Sequence, residues 1–190
     1  MRNFLEATRG APAQPNLCKA LDLWPGNPGL ALDLGCGAGR DSLALLRAGW
    51  VVIALDRDPH ALDILHEQAA AYAPDKLSMV CRAFEDSAPL PAADLINASF
   101  ALPFCQPGAF PDMWERIVRS MRRGGLFTGH FFGPRDDWAS KRLSIHTQDQ
   151  LLRQFECWTL LEFNEHEYDG KTAVGHAKHW HLFEVVAQRS

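Results

Sequence analysis

The sequence has no C-x-x-C pair, no basic excess, no long apolar run and no internal repeat, and each absence excludes something. Its five cysteines stand far apart at Cys18, Cys36, Cys81, Cys105 and Cys157. An odd number at wide spacing argues against a disulfide framework and a zinc site, so no metal is expected. Nineteen Lys and Arg against 23 Asp and Glu leave a formal net charge of −4. That balance offers no electrostatic footprint for nucleic acid or an anionic membrane. No apolar stretch approaches the roughly 20 residues of a membrane span. The opening residues carry no apolar signal core, so a cytoplasmic location is expected.

What is present is ordinary globular material. Hydrophobic residues make up 47% and charged residues 22% of 190 residues, enough for one domain at roughly 100–200 residues each. The first 28 residues hold Gly10, Pro12, Pro15, Pro25, Gly26 and Pro28 around one apolar stretch, Leu17 to Leu23. They read as an N-terminal arm over residues 1–29 with a short helix, ahead of a domain over 30–190.

From Leu30 strands and helices alternate. Leu30 to Leu34 and Val51 to Leu55 are apolar runs of the kind a strand covered on both faces requires. A helix is expected from about Arg40 to Gly49. A second opens at Asp58-Pro59, with Asp as cap and Pro in the first turn, and runs to about Tyr72. Leu77–Cys81, Asp94–Ala98 and Leu126–Phe132 read as strands. Pro111 to Met121 reads as a helix with Arg122-Arg123 in its last turn and Gly124 as its left-handed cap. Thr147-Gln148-Asp149-Gln150 is a capping box for a helix to about Phe155. Trp158–Glu165 and His179–Ala187 are two strands with no helix between them. The fold class is therefore α/β: a doubly wound, Rossmann-like sheet of about seven strands, mostly parallel, with one antiparallel strand from a C-terminal hairpin.

The strongest motif is Leu32-Asp33-Leu34-Gly35-Cys36-Gly37-Ala38-Gly39-Arg40, glycines between the first strand and the first helix. Such glycines permit a tight turn and close backbone approach by a ligand. Asp56 ends the second strand at the roughly 20-residue spacing of an acid that binds ribose hydroxyls. A dinucleotide fingerprint needs its third glycine where this chain has Arg40. Asp33 would repel a pyrophosphate and attract an α-amino group. An adenosine at one end and an amino acid at the other describes S-adenosylmethionine.

On these residues the chain resembles, from residue 30 onward, the class I S-adenosylmethionine-dependent methyltransferases. A narrower resemblance is to the small tellurite-resistance-type methyltransferases. It rests on Gly39-Arg40-Asp41, Gly49-Trp50, Tyr168-Asp169-Gly170-Lys171-Thr172-Ala173 and Lys178-His179-Trp180-His181. The resemblance implies that Gly35, Cys36, Gly37 and Gly39 form the loop beneath the methionine moiety, with Asp33 facing its amino end. It also implies Asp56 on the ribose, Arg57, Ala83 and Phe84 beside the adenine, and Asn97-Ala98-Ser99 as the wall next to the sulfonium. Many relatives carry Asp where this chain has Arg82.

Displacement at a sulfonium carbon needs alignment more than it needs a base, so the motif specifies a donor and leaves the acceptor open. Acceptor contacts are expected after strands four, five and six, in the segments 103–105, 129–138 and 164–171. His130 and Arg135 are the catalytic candidates, set against a core histidine and a surface ion pair with Asp136 or Asp137. His176, His179 and His181 fit no standard zinc spacing, and Trp180 reads as core. The expected activity is methyl transfer to a small molecule such as a metabolite, a xenobiotic or a chalcogen oxyanion. A nicotinamide-dependent oxidoreductase and a non-catalytic cofactor-binding module are the alternatives, and the oligomeric state is left open.

Overall fold

The computed structural model describes residues 2–70, 72, 74–139 and 142–190. Seven strands form one sheet: β1 (Leu30–Leu34), β2 (Val51–Asp56), β3 (Leu77–Cys81), β4 (Ala93–Ala98), β5 (Met121–Phe132), β6 (Trp158–Lys171) and β7 (Ala177–Arg189). Their spatial order is β3-β2-β1-β4-β5-β7-β6. The first five strands pair in parallel, while β7 pairs antiparallel with both β5 and β6. The order reverses between β1 and β4, which opens a crevice beyond their carboxyl ends, where open α/β sheets bind ligands.

Helices cover both faces because alternate strand residues point to opposite sides. Leu126, Leu95, Ala31 and Val52 meet Leu17 and Ala20 of α2 (Pro15–Leu23), Leu43 and Leu46 of α3 (Arg40–Arg47), and Leu62 and Leu65 of α4 (Pro59–Ala69). On the other face Phe127, Phe131, Ile96 and Leu34 meet Phe110, Met113 and Ile117 of α5 (Phe110–Ser120) and Leu151 of α6 (Gln148–Gln154). Asp58 caps α4 through the His60 N–H, and the Thr147–Gln150 box caps α6 reciprocally.

Three expectations need correction. The arm holds two helices, not one: α1 (Arg2–Thr8) precedes α2. Seven residues do not sustain an isolated helix; Leu5 anchors it against Ala38, Ala61 and Ile64. Second, Arg122 and Arg123 do not finish α5. Met121 already lies beside Ala93 in the sheet, and Arg122 Nη1 reaches Asp94 Oδ2 at 2.7 Å. Gly124, at φ +77°, therefore turns within a strand rather than capping a helix. Third, the hairpin strands run on to Lys171 and back from Ala177. Residues 164–167 are polar on both faces and carry no alternation to read; backbone pairing and ion pairs extend the strand instead.

The loop after β5 is fastened to β7. Asp136 Oδ2 receives the Lys178 ammonium at 2.5 Å and the His181 N–H at 3.1 Å, and its Oδ1 receives the Trp138 N–H at 2.9 Å. Both charged side chains of the pair are buried.

Two outcomes follow for stability, both read by urea denaturation. Gly39 sits at φ +89°, and a Cβ there would lie 2.4 Å from Leu65 Cδ1. Gly39→Ala should therefore cost about 1–3 kcal/mol, while Gly108→Ala, in open space, should stay within about 0.5 kcal/mol. Asp136→Asn, which removes one charge of a buried pair, should cost about 3–5 kcal/mol.

Candidate active site

The glycine loop is built by backbone bonds across the sheet. Gly35 and Cys36 N–H both donate to Leu55 O, at 2.7 and 3.0 Å, folding the chain over the end of β2. Gly35 stands at φ +69°, and a Cβ there would meet Ala101 Cβ at 2.6 Å. Gly37, at φ +53°, has only Leu5 Cδ2 within reach at 3.9 Å, so its face is open to a ligand. Its N–H donates to Asp56 Oδ2 at 2.9 Å, while Asp56 Oδ1 accepts from the Asp58 N–H at 2.9 Å.

Beneath the loop lies a buried polar network. Asp33 Oδ2 accepts from Ser42 Oγ at 2.5 Å and Oδ1 from Asn97 Nδ2 at 2.8 Å. The same Asn97 amide donates to Asp41 Oδ2 at 3.0 Å, and Asp41 Oδ1 accepts the Gln14 N–H at 2.8 Å. Ser99 Oγ donates to Asn97 Oδ1, and Asn16 Nδ2 donates to Ser99 and Thr128. Burial, with Asp41 nearby adding a like charge, pushes the Asp33 carboxyl up to about 7. Burial likewise pushes the Cys36 thiol well up, so it is no nucleophile.

One cavity of about 520 Å³ opens over these groups. Asp33, Gly35, Cys36, Gly37, Asp56, Arg57 and Phe84 line it, together with Arg82, Glu85 and Ser99. Four other expected cofactor residues stand back from it. Gly39 packs on Leu65, Asn97 holds Asp33 from below, Ala98 is fully buried and Ala83 lies one position behind Phe84.

His130 and Arg135 are not on the cavity wall. His130 is 3% exposed and stacks on Phe100 at 4.0 Å between ring centroids, so Phe100 separates it from the cavity. Burial drives its pKa down. Arg135 grips Glu167 and Glu165 on the outside of the hairpin, rather than Asp136 or Asp137. Among the described residues no cluster of three or more His, Cys, Asp or Glu suits a metal. His179 instead pairs with Asp169 and Glu167.

The cavity's far end is aromatic. Phe100 and Phe104 follow β4, Phe132 and Trp138 follow from β5, and Tyr168 and Trp180 come from the hairpin. Trp180 is half-buried and faces this space, which corrects its reading as core. Phe4, Leu5, Thr8 and Gln14 bring the N-terminal arm into the same wall. Phe104, Phe132, Trp138 and Tyr168 fall in the segments 103–105, 129–138 and 164–171 where acceptor contacts were expected, whereas Phe100, Trp180 and the arm residues lie outside them.

The comparisons with known proteins accord with this geometry. The profile of the family described as "Methyltransferase domain" matches residues 31–125. TehB from Haemophilus influenzae superposes with a TM-score of 0.78 at 18% identity, covering 93% of this chain and 62% of that one. The Burkholderia thailandensis 1,6-didemethyltoxoflavin-N1-methyltransferase, solved with bound 1,6-didemethyltoxoflavin and S-adenosylhomocysteine, gives 0.67 at 20% identity, covering 93% and 79%. A curated relative, Hemagglutinin 1 of Eikenella corrodens, is 29% identical over 145 residues, which are 73% of this chain and 46% of the relative. The chain thus spans about half the length of that relative. With half of its residues matched by the family's profile and its sheet in that strand order, the chain belongs to the methyltransferase-domain family, on the fold of the S-adenosylmethionine-dependent enzymes.

Proposed function

We propose that the protein transfers a methyl group from S-adenosylmethionine to a small-molecule acceptor. The observation that carries this reading is one continuous cavity, with the glycine loop and Asp56 at one end and a ring-lined chamber at the other. Donor and acceptor would lie end to end in it, as an in-line displacement requires.

In this reading Asp56 exchanges its backbone donors for the two ribose hydroxyls. Gly37 passes beneath the methionine moiety, which any side chain there would obstruct. Arg57, Phe84 and Glu85 border the adenine. Asp33 supplies negative potential to the α-amino group from below the loop, its oxygens held in place by Ser42 and Asn97. The acceptor's lone pair attacks the methyl carbon, and the carbon–sulfur bond pair returns to sulfur. Orientation and exclusion of water carry the rate in this scheme, and no side chain serves as an obligatory base.

Calorimetric titration tests the donor half. S-adenosylhomocysteine should bind and NADH should not, and Asp56→Ala should weaken the former at least tenfold, the loss of about 1.4 kcal/mol or more. Binding of NADH alone, or of neither, would sink the reading.

The pH dependence of the same titration tests Asp33. Its pKa of about 7 in the unliganded protein lies above the unfolded value near 4. The folded state therefore holds a proton that the unfolded state has lost, and the unliganded fold loses stability as pH rises from about 4 to about 7. An ammonium favours the charged carboxylate, so ligand affinity should rise several-fold from pH 5.5 to 7.5. Asp33→Asn should bind weakly with a flat profile; an unchanged slope in that variant would remove Asp33 from the amino-group site.

A further inference from the structure

The far end of the cavity has a composition that specifies more than a small acceptor. Six rings from four separate segments converge there: Phe100, Phe104, Phe132, Trp138, Tyr168 and Trp180. Five of them contact one another edge to face and at a tilt, such as Phe104 with Trp138 at 6.0 Å, Phe132 with Trp180 at 6.0 Å and Trp138 with Trp180 at 5.8 Å, and Tyr168 lines the same cavity. Several stay wet in the unliganded chain, with Phe104 39% and Tyr168 49% exposed. Aromatic surface left open around one mouth marks a place where apolar surface awaits a partner.

The backbone has been bent to present one of these rings. Phe100 adopts φ +51°, a conformation costly for a bulky side chain. It persists because the ring is stacked on His130 and edged by Trp180 at 5.9 Å. Strain held in place at a cavity wall is a mark of function.

Charge selects among occupants. Ring faces carry negative potential and repel an anion. The cation behind them is already committed: Lys178 Nζ lies 3.5 Å from the Trp180 ring centroid and 4.7 Å from that of Trp138, with Asp136 as its counter-ion. Arg135 is held by Glu165 and Glu167 outside the chamber, and Lys171 stands at the rim. A compact oxyanion would therefore lie against repelling ring faces, whereas a flat, electron-rich ring would find stacking surface on several sides.

We infer that the acceptor is a planar aromatic or heteroaromatic molecule, stacked among Phe104, Trp138, Trp180 and Tyr168 and methylated at a nitrogen, oxygen or sulfur borne on its ring. This inference rests on the methyltransferase reading and deepens it. A lone pair of that atom forms the new bond to the methyl carbon, the sulfonium's carbon–sulfur pair stays on sulfur, and any proton on the attacking atom passes to water at the open mouth. No further reactant is required.

The test uses the full chain with thiophenol, 2-naphthol and quinolin-8-ol as ring probes, against selenite and 2-mercaptoethanol. Binding is read by calorimetry on protein saturated with S-adenosylhomocysteine, and methylated products are read by mass spectrometry with S-adenosylmethionine. Ring probes should bind and be methylated, and the two ringless probes should not. Phe104→Ala and Tyr168→Ala, both at exposed positions on different segments, should each raise the ring probes' Kd at least tenfold. Their S-adenosylhomocysteine Kd should stay within twofold, which also certifies the fold. Failure of the ring probes at millimolar concentration, turnover of selenite or 2-mercaptoethanol in their place, or indifference to both substitutions would overturn the inference. Failure of S-adenosylhomocysteine itself to bind would instead overturn the donor reading beneath it.

Discussion

The structure turns on one buried carboxylate. Asp33 lies one residue before the end of an otherwise apolar strand, 2% exposed, with a second buried acid, Asp41, close by. Two carboxylates in so little water repel each other unless something divides them, and the Asn97 side-chain amide does so by donating to both. Asn97 comes from β4, the strand on the far side of the reversal in sheet order, so the network clamps the crevice at the point where it opens. A bond from Asp41 to the Gln14 backbone then draws the N-terminal arm over the same point. A buried network of this kind stabilises only when every member is satisfied. The arm, the glycine loop and the fourth strand are in this sense one assembly.

That dependence explains why the arm is part of the site rather than a preface to it. Arg40, which displaces the dinucleotide pattern's third glycine, donates to Pro12 O and so holds the arm's loop from the other side. Leu5 then rests on α4, and Phe4, Leu5 and Thr8 close the cavity above Gly37. A residue that looked like a departure from one motif is a fastening in another.

The central sheet and the glycine loop were legible because backbone geometry dictates them. Close approach at Gly35 and Gly37, and an acid at the end of β2, are requirements written in residue type and spacing. Asn97 was singled out as a wall residue, but it lies beneath the cavity, bonded to Asp33 and Asp41, and not on its wall. The long hairpin was under-read because Glu165, His166 and Glu167 break the alternation that identifies a half-buried strand. Its outer part is held by Arg135 and by pairing with β7, contacts distant in sequence. The first helix left no trace for the same reason, since a helix that short owes its existence to the surface it lands on.

The ring-lined end of the cavity was legible by segment and not by residue: Phe104, Phe132, Trp138 and Tyr168 fall within 103–105, 129–138 and 164–171, while Phe100 and Trp180 do not. A general base or a metal site announces itself through titratable residues in a small set of spacings. A reaction that asks mainly for alignment requires none of them, and His130 and Arg135 drew attention only because they are reactive types. Both are occupied structurally, one stacked beneath Phe100 and the other tied across the hairpin. The groups that shape the chamber are unreactive rings from segments far apart in the chain, and only the pairing of β5 with β7 brings Phe132 and Trp180 into one wall. Specificity in such an enzyme is a property of packing, so it becomes readable only after the sheet has been closed.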